Sequence, residues 1–297
     1  MTGEIDFTDC KQIPGRAYNG ANGKKIAVEY LGKQYMLKFP PSGAKKMTEL
    51  SYTNSCISEH IASSIFNILG VMAHDTMLGT FNIGNDMKIV CACLDFTADG
   101  KTLYDFCSIK NTVLDSESGG TGTELYDILD TIEKQKFVAP DILSEHFWGM
   151  FVIDALLGNS DRHFDNWGLL EKDEQIMFAP IYDCGSSLGA LNDDSKMSAL
   201  LAEANLTEFK NEEYNVTSCY SMNGKRIFYH EIFKNPPDDL IEAIKRTVPV
   251  INMEKLYTII DSVKPMSEIR KEYLKKAITI RYEQILLPAL TKFSRTT

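Results

Sequence analysis

GNSDRHFDNWGLL, residues 158–170, follows directly on the apolar run HFWGMFVIDALL, residues 146–157. It sets two aspartates, an arginine, a histidine and an asparagine within positions 161–166. A helix that is apolar on nearly every side belongs in a core, and a polar cluster on its end gains a rigid mount. NWGLLEK and QIMFAPIYD then read as two short strands joined by a polar turn. The ends of such a hairpin meet, so Asn166, at its start, and Asp183, at its finish, are expected to be neighbours. An asparagine beside an aspartate is an oxygen pair suited to Mg²⁺. Asp161 is then left to accept a proton from an incoming hydroxyl.

Upstream, KKIAVEYLG and KQYMLKFP alternate with period two around Leu31-Gly32-Lys33. Tyr35, Leu37 and Phe39 share one face, and Gln34, Met36 and Lys38 the other. In SYTNSCISEHIASSIFNILGV, Ile57, Ile61, Ile65 and Ile68 keep helical spacing and Gly70 is a stop signal. Glu59 lies off that stripe, on a side suited to a cleft. TMLGTFNIG and MKIVCACLDF are two further strand-like runs. Residues 111–124, NTVLDSESGGTGTE, read as a loop. Helical patterns dominate beyond it, and the chain from Pro237 onward reads as three helices. The expected fold is α+β and bilobal: a β-rich lobe over residues 1–96, then an α-helical lobe over 97–297 carrying one small catalytic hairpin.

The 297 residues carry a net charge of −10 and 44% hydrophobic residues. That balance opposes a phosphate-coating nucleic-acid binder. The amino-terminal MTGEIDFTDCKQ has neither a basic nor an apolar signal region, and no apolar run is long enough to span a membrane. The expectation is a cytoplasmic chain with no membrane or nucleic-acid partner, export by a non-classical route staying open. Seven cysteines without a CxxC pair read as reduced thiols. Cys91 and Cys93, two apart on a strand, point to one face, but a metal site there needs further ligands.

An Asp five residues before an Asn, with a second Asp after a hairpin, is the protein-kinase arrangement. Asp183-Cys184-Gly185 stands at the DFG position, Lys38 on the lysine strand and Glu59 on the helix that holds that lysine. NSDRHFDN, FAPIYDCG, NSCISEHIA and KQYMLKFP together resemble the HipA-like family of bacterial serine/threonine kinases, most closely its short, free-standing members. The resemblance implies a protein-kinase-like fold, ATP and Mg²⁺ as cofactors, a serine or threonine of a protein as acceptor, and autophosphorylation. It implies Lys38 on the α/β-phosphates, Glu59 as its partner, Asp161 as base, and Asn166 and Asp183 on the metal. The turn Gly20, Ala21, Asn22, Gly23 is expected to cover the phosphates. Backbone groups of Cys91, Cys93 and Leu94 are expected to read adenine.

His163 is open to three roles: catalysis, nucleotide contact, or bracing of the loop. Arg162 reads as a solvated or phosphate-steering charge, and Asp165 as a weaker ligand than Asn166. Two departures stand out. The separate amino-terminal subdomain of long HipA proteins is not expected, so antitoxin pairing and DNA-complex behaviour are not carried over. Residues 14–30 hold no serine or threonine for regulatory phosphorylation, which leaves Tyr18 as the only hydroxyl near the glycines apart from Tyr30. The DRHxxN loop also matches phosphoinositide kinases. The rival readings are therefore a lipid or small-molecule kinase, a non-catalytic nucleotide-binding scaffold, and a metal-dependent hydrolase.

Overall fold

The computed structural model describes residues 5–16, 18, 24–40, 54–113 and 122–294. Four strands open the chain: β1 (Ile5–Asp6), β2 (Lys11–Gln12), β3 (Lys25–Tyr30) and β4 (Lys33–Lys38). β3 and β4 form the expected hairpin, with Lys25 opposite Lys38 and Tyr30 opposite Lys33. Leu31 and Gly32 both take positive φ, 48° and 74°, the turn geometry that matches strand twist.

Helix α1 (Ser55–Ile68) follows, then β5 (Thr76–Ile83) and β6 (Asp86–Leu94). Ile57, Ile61 and Ile65 are buried as their spacing requires, whereas Ile68 in the last turn is exposed and Leu69 takes the buried place. The strands form one six-stranded sheet, ordered β1-β5-β6-β4-β3-β2. β1 runs parallel to β5. Gly79 makes that close approach possible, because a Cβ there would sit 2.4 Å from the Ile5 carbonyl oxygen and 2.5 Å from the Phe7 ring. One sheet face has its own small core of Phe7, Val28, Tyr35, Leu37, Phe39, Phe81, Val90 and Ala92. The other face meets α1 through Cys56, Cys91 and Cys93.

The rest is mainly helical. β7 (Thr102–Asp105), α2 (Phe106–Val113), α3 (Leu125–Lys134) and α4 (Pro140–Leu157) lead to β8 (Gly168–Lys172) and β9 (Gln175–Phe178). β7 joins the predicted β8–β9 hairpin as a third strand. α4 starts on Pro140 and ends on Gly158 at φ 64°, the left-handed cap that glycine tolerates. From Phe147 to Leu157 every residue is buried, as the apolar run demands. α5 (Asp194–Leu201), α6 (Leu206–Tyr214), β10 (Thr217–Met222), β11 (Lys225–Phe228) and α7 (Tyr229–Lys234) follow, and α8 (Asp238–Thr247), α9 (Met253–Ser262), α10 (Glu268–Arg281) and α11 (Leu287–Phe293) close the chain. The three helices expected after Pro237 are α8 to α10; α11 adds a fourth. Among the described residues, no helix is long and apolar enough to cross a membrane.

The two parts are strapped together between α1 and β5. Ala73 bridges Ile181 in parallel, Ile181 N donates to Met72 O at 2.8 Å, and His74 N donates to Ile181 O at 3.0 Å. The strap fixes the residues after α1 against those that lead to Asp183.

Candidate active site

Alternation along β4 turns Lys38 away from Leu37 and Phe39, toward α1 and the cleft. Lys38 Nζ lies 3.0 Å from Glu59 Oε2 and 2.7 Å from Asp183 Oδ1. Glu59 is fully buried, and its other oxygen meets His74 Nε2 at 2.8 Å. Burial alone would neutralise these groups; their mutual fields prevent it. Burial opposes the Lys38 charge, but Asp183 and Glu59 outweigh it and raise its pKa well above the usual lysine value. Burial likewise pushes Glu59 up, and Lys38 with His74 overcomes this to hold its carboxyl well below the usual range. Lys38 is also the main cause of the lowered pKa of Asp183. His74 was not singled out in the sequence. Nor was Lys25, a second cation placed across from Lys38 by the β3–β4 register; it feels the charges of Asp183, Lys38 and Glu59.

The loop after α4 is held from below. Asn159 donates through Nδ2 to Asp154 Oδ1 at 2.8 Å, and its Oδ1 accepts from Asp161 N at 3.1 Å. Tyr229 Oη donates to Asn159 O at 2.6 Å. Arg162 corrects the sequence reading. It is 1% exposed, not solvated. Its Nε and Nη2 donate to the Asp154 carboxylate at 2.9 and 3.2 Å, and its Nη1 donates to Asn166 O at 2.9 Å and Tyr182 O at 2.5 Å. Burial works against its charge, and Asp154 overcomes that to keep it firmly protonated. Arg162 thus ties together the core helix, the polar loop and the residue before Asp183. This is how Asn166 and Asp183 are brought to one place.

Asn166 Nδ2 donates to Asp161 O at 2.8 Å. Among the described residues, no donor reaches its Oδ1. Asp183 takes φ 57°, an unusual backbone for a side-chain-bearing residue. Its Oδ1 engages Lys38, and its side chain stays 39% exposed. An amide oxygen and a half-exposed carboxylate form a hard oxygen donor set that fits Mg²⁺. Asp161 is also 39% exposed in its side chain, and Ser186 Oγ donates to its Oδ2 at 3.3 Å.

His163 braces the loop. Its Nδ1 accepts from Asp165 N at 3.3 Å, and its Nε2 lies 3.3 Å from Asn166 Nδ2. Gly20, Ala21, Asn22 and Gly23 lie outside the described residues.

The adenine expectation for Cys91, Cys93 and Leu94 does not fit the pairing of β6. Cys91 and Cys93 face Lys38 and Met36 on one side, and Leu78 and Thr76 on the other, while Leu94 faces Tyr35. Leu94 N donates to Asp75 O at 2.8 Å and Asp95 N to Gln34 O at 3.0 Å. The N–H groups of Leu94 and Asp95 are thus already engaged. Phe96 is the first residue after β6 whose N–H has no acceptor among the described residues. Tyr18 is likewise engaged: its hydroxyl donates to Asp95 Oδ2 at 2.8 Å, beside Arg16.

The family of HipA-like C-terminal domains matches residues 17–249 of this chain. The chain belongs to the HipA-like family. A curated relative in Helicobacter pylori strain J99, serine/threonine-protein kinase CtkA, is 41% identical over 293 residues, which cover 97% of this chain and 88% of the relative. The crystal structure of an H. pylori proinflammatory kinase CtkA aligns at a TM-score of 0.92 and 40% identity, covering 99% of each chain. A Shewanella oneidensis HipA, HipB and operator DNA complex contains a chain that aligns at a TM-score of 0.55 and 14% identity, with 96% of this chain and 70% of that one covered; this likeness is one of fold. The HipA-like fold is the bilobal kinase-like α+β fold expected from the motifs.

Proposed function

We propose that this chain is a Mg²⁺-dependent serine/threonine protein kinase that moves the ATP γ-phosphate to a protein hydroxyl and phosphorylates itself. The observation that carries the reading is Lys38, held between a buried carboxylate on α1 and Asp183 at the far side of the cleft. The relative at 41% identity is named a serine/threonine-protein kinase.

The proposed lobes are residues 1–96 and 97–297, with ATP between them. In this reading Lys38 orients the α/β-phosphates and Glu59 holds Lys38 in reach of them. Asn166 and Asp183 hold Mg²⁺, which when bound supplies charge neutralisation for the phosphoryl group. Asp161 orients the acceptor hydroxyl and takes its proton. His163 keeps Asn166 and the loop in place. Gly20 to Gly23 cover the phosphates, a role that rests on the family resemblance. The adenine-reading backbone moves from Cys91–Leu94 to the segment starting at Phe96. Most of the rate gain comes from positioning and fixed charges.

The test is transfer of labelled γ-phosphate to the chain itself and to a generic acceptor protein, with and without Mg²⁺. Magnesium-dependent label on serine or threonine supports the reading. Label that moves only to lipid or a small hydroxylated molecule replaces it with the runner-up kinase. ATP binding without transfer replaces it with a scaffold.

A further inference from the structure

The Cys91-Ala92-Cys93 pair, too poor in ligands when read alone, gains partners in the fold. Glu59, His74 and Cys93 each present one ligand atom, and these atoms lie within 4.8 Å of one another. Cys91 Sγ stands 3.8 Å from Cys93 Sγ. All four residues are buried, at 0% for Glu59, 3% for His74, 0% for Cys91 and 1% for Cys93. We propose that Cys91, Cys93, His74 and Glu59 form a site for a soft divalent cation, of which Zn²⁺ is the representative, and that its occupation switches the Lys38–Glu59 pair off.

Tetrahedral zinc with bonds of about 2.3 Å to sulfur sets two sulfurs about 3.8 Å apart, and its nitrogen and oxygen ligands somewhat closer. The two cysteines already have that spacing. The ligand atoms of Glu59 and His74, within 4.8 Å of Cys93 Sγ, need to shift by about 1 Å to reach it. The donor set, two sulfurs with one imidazole and one carboxylate, selects zinc over the hard Mg²⁺ of the cleft.

Charge supports the site as well. Binding releases the two thiol protons to water, and His74 ligates through Nε2 as a neutral ring. Two thiolates and the Glu59 carboxylate carry three negative charges. The cation offsets two of them, and the Lys38 ammonium, still the nearest side-chain cation when its direct contact with Glu59 lengthens, offsets the third. Occupation must break the hydrogen bond between His74 and Glu59, and it draws Glu59 away from Lys38. The regulatory half of the proposal rests on Lys38–Glu59 being the kinase pair; the binding half does not.

The experiment uses the full chain, stripped with a chelator. It is titrated with Zn²⁺ against a chromophoric competitor, and separately with Co²⁺, whose thiolate bonds give an absorption band in the near ultraviolet. Phosphate transfer is measured in parallel at saturating Mg²⁺. One equivalent of tight metal, a thiolate–cobalt band, and loss of both in Cys93→Ser are expected. The band persists in Asp183→Asn, which separates this site from the Mg²⁺ site, and in Cys219→Ser, a thiol buried elsewhere. Absence of the band, or a band unchanged in Cys93→Ser, overturns the site. Tight metal with transfer undiminished overturns the switch. Bound metal in a chain that transfers no phosphate even when stripped overturns the kinase reading and leaves the site standing.

Discussion

The Arg162 guanidinium donates through Nε and Nη2 to both oxygens of Asp154, and each side chain is 1% exposed. This pair is the mount of the polar loop, since the other arm of Arg162 holds the carbonyls of Asn166 and Tyr182. Removing one partner strands a buried charge. Arg162→Met is expected to cost about 3–5 kcal/mol of stability, read by chemical denaturation. Asp154→Asn added to it returns part of that loss, because the stranded charge is gone. A single variant as stable as wild type contradicts the mount.

Glu59→Gln tests the lysine's partner without changing its size. The amide still reaches His74, so the fold is retained. Lys38 then leans on Asp183 alone. The expected result is a loss of at least about tenfold in kcat/KM for ATP, the effect of roughly 1.4 kcal/mol. Unchanged kinetics in a stably folded variant remove Glu59 from the catalytic set.

His74 makes a prediction with a sign. Burial works against its protonation, but Cys93 and Glu59 outweigh that and raise its pKa above 6.5. A group with a raised folded pKa gives its full stabilisation below its unfolded value, about 6.5, and loses it as pH climbs through the folded one. The stability gap between wild type and His74→Gln, measured on metal-stripped protein, is therefore widest in mild acid and narrows toward alkaline pH. A gap that widens with pH contradicts the assignment.

How far these contacts could be read in advance depended on their distance along the chain. Asp161, Asn166 and Asp183 were legible because one helix end and one hairpin contain them. Lys38 followed from strand alternation, and Glu59 from the helix side free of isoleucines. His74 was not legible: a single histidine between two elements carries no periodic signal, and only the strap to Ile181 puts it under Glu59. Arg162 was misread because arginines beside polar residues are mostly solvated; the counter-signal was Asp154, a lone carboxylate in an apolar helix. The adenine reading of Cys91, Cys93 and Leu94 rested on their place near the lobe boundary, which does not reveal that β6 is paired on both sides. The β10–β11 hairpin passed unread although Asn223-Gly224, both at positive φ, is a strong turn signature. The segment from Ser186 to Tyr220 is largely folded into α5, α6 and the start of that hairpin.

The central claim is that Asp161 and Asp183 act on one transferred phosphate. The most direct measurement is γ-phosphate transfer from labelled ATP with Mg²⁺, comparing wild type, Asp161→Ala and Asp183→Asn, with ATP binding followed in each. The account predicts label on wild-type protein and on the acceptor, lost in both variants, with Asp161→Ala still binding ATP. Equal transfer in all three proteins, or none in any of them despite bound ATP, would contradict it.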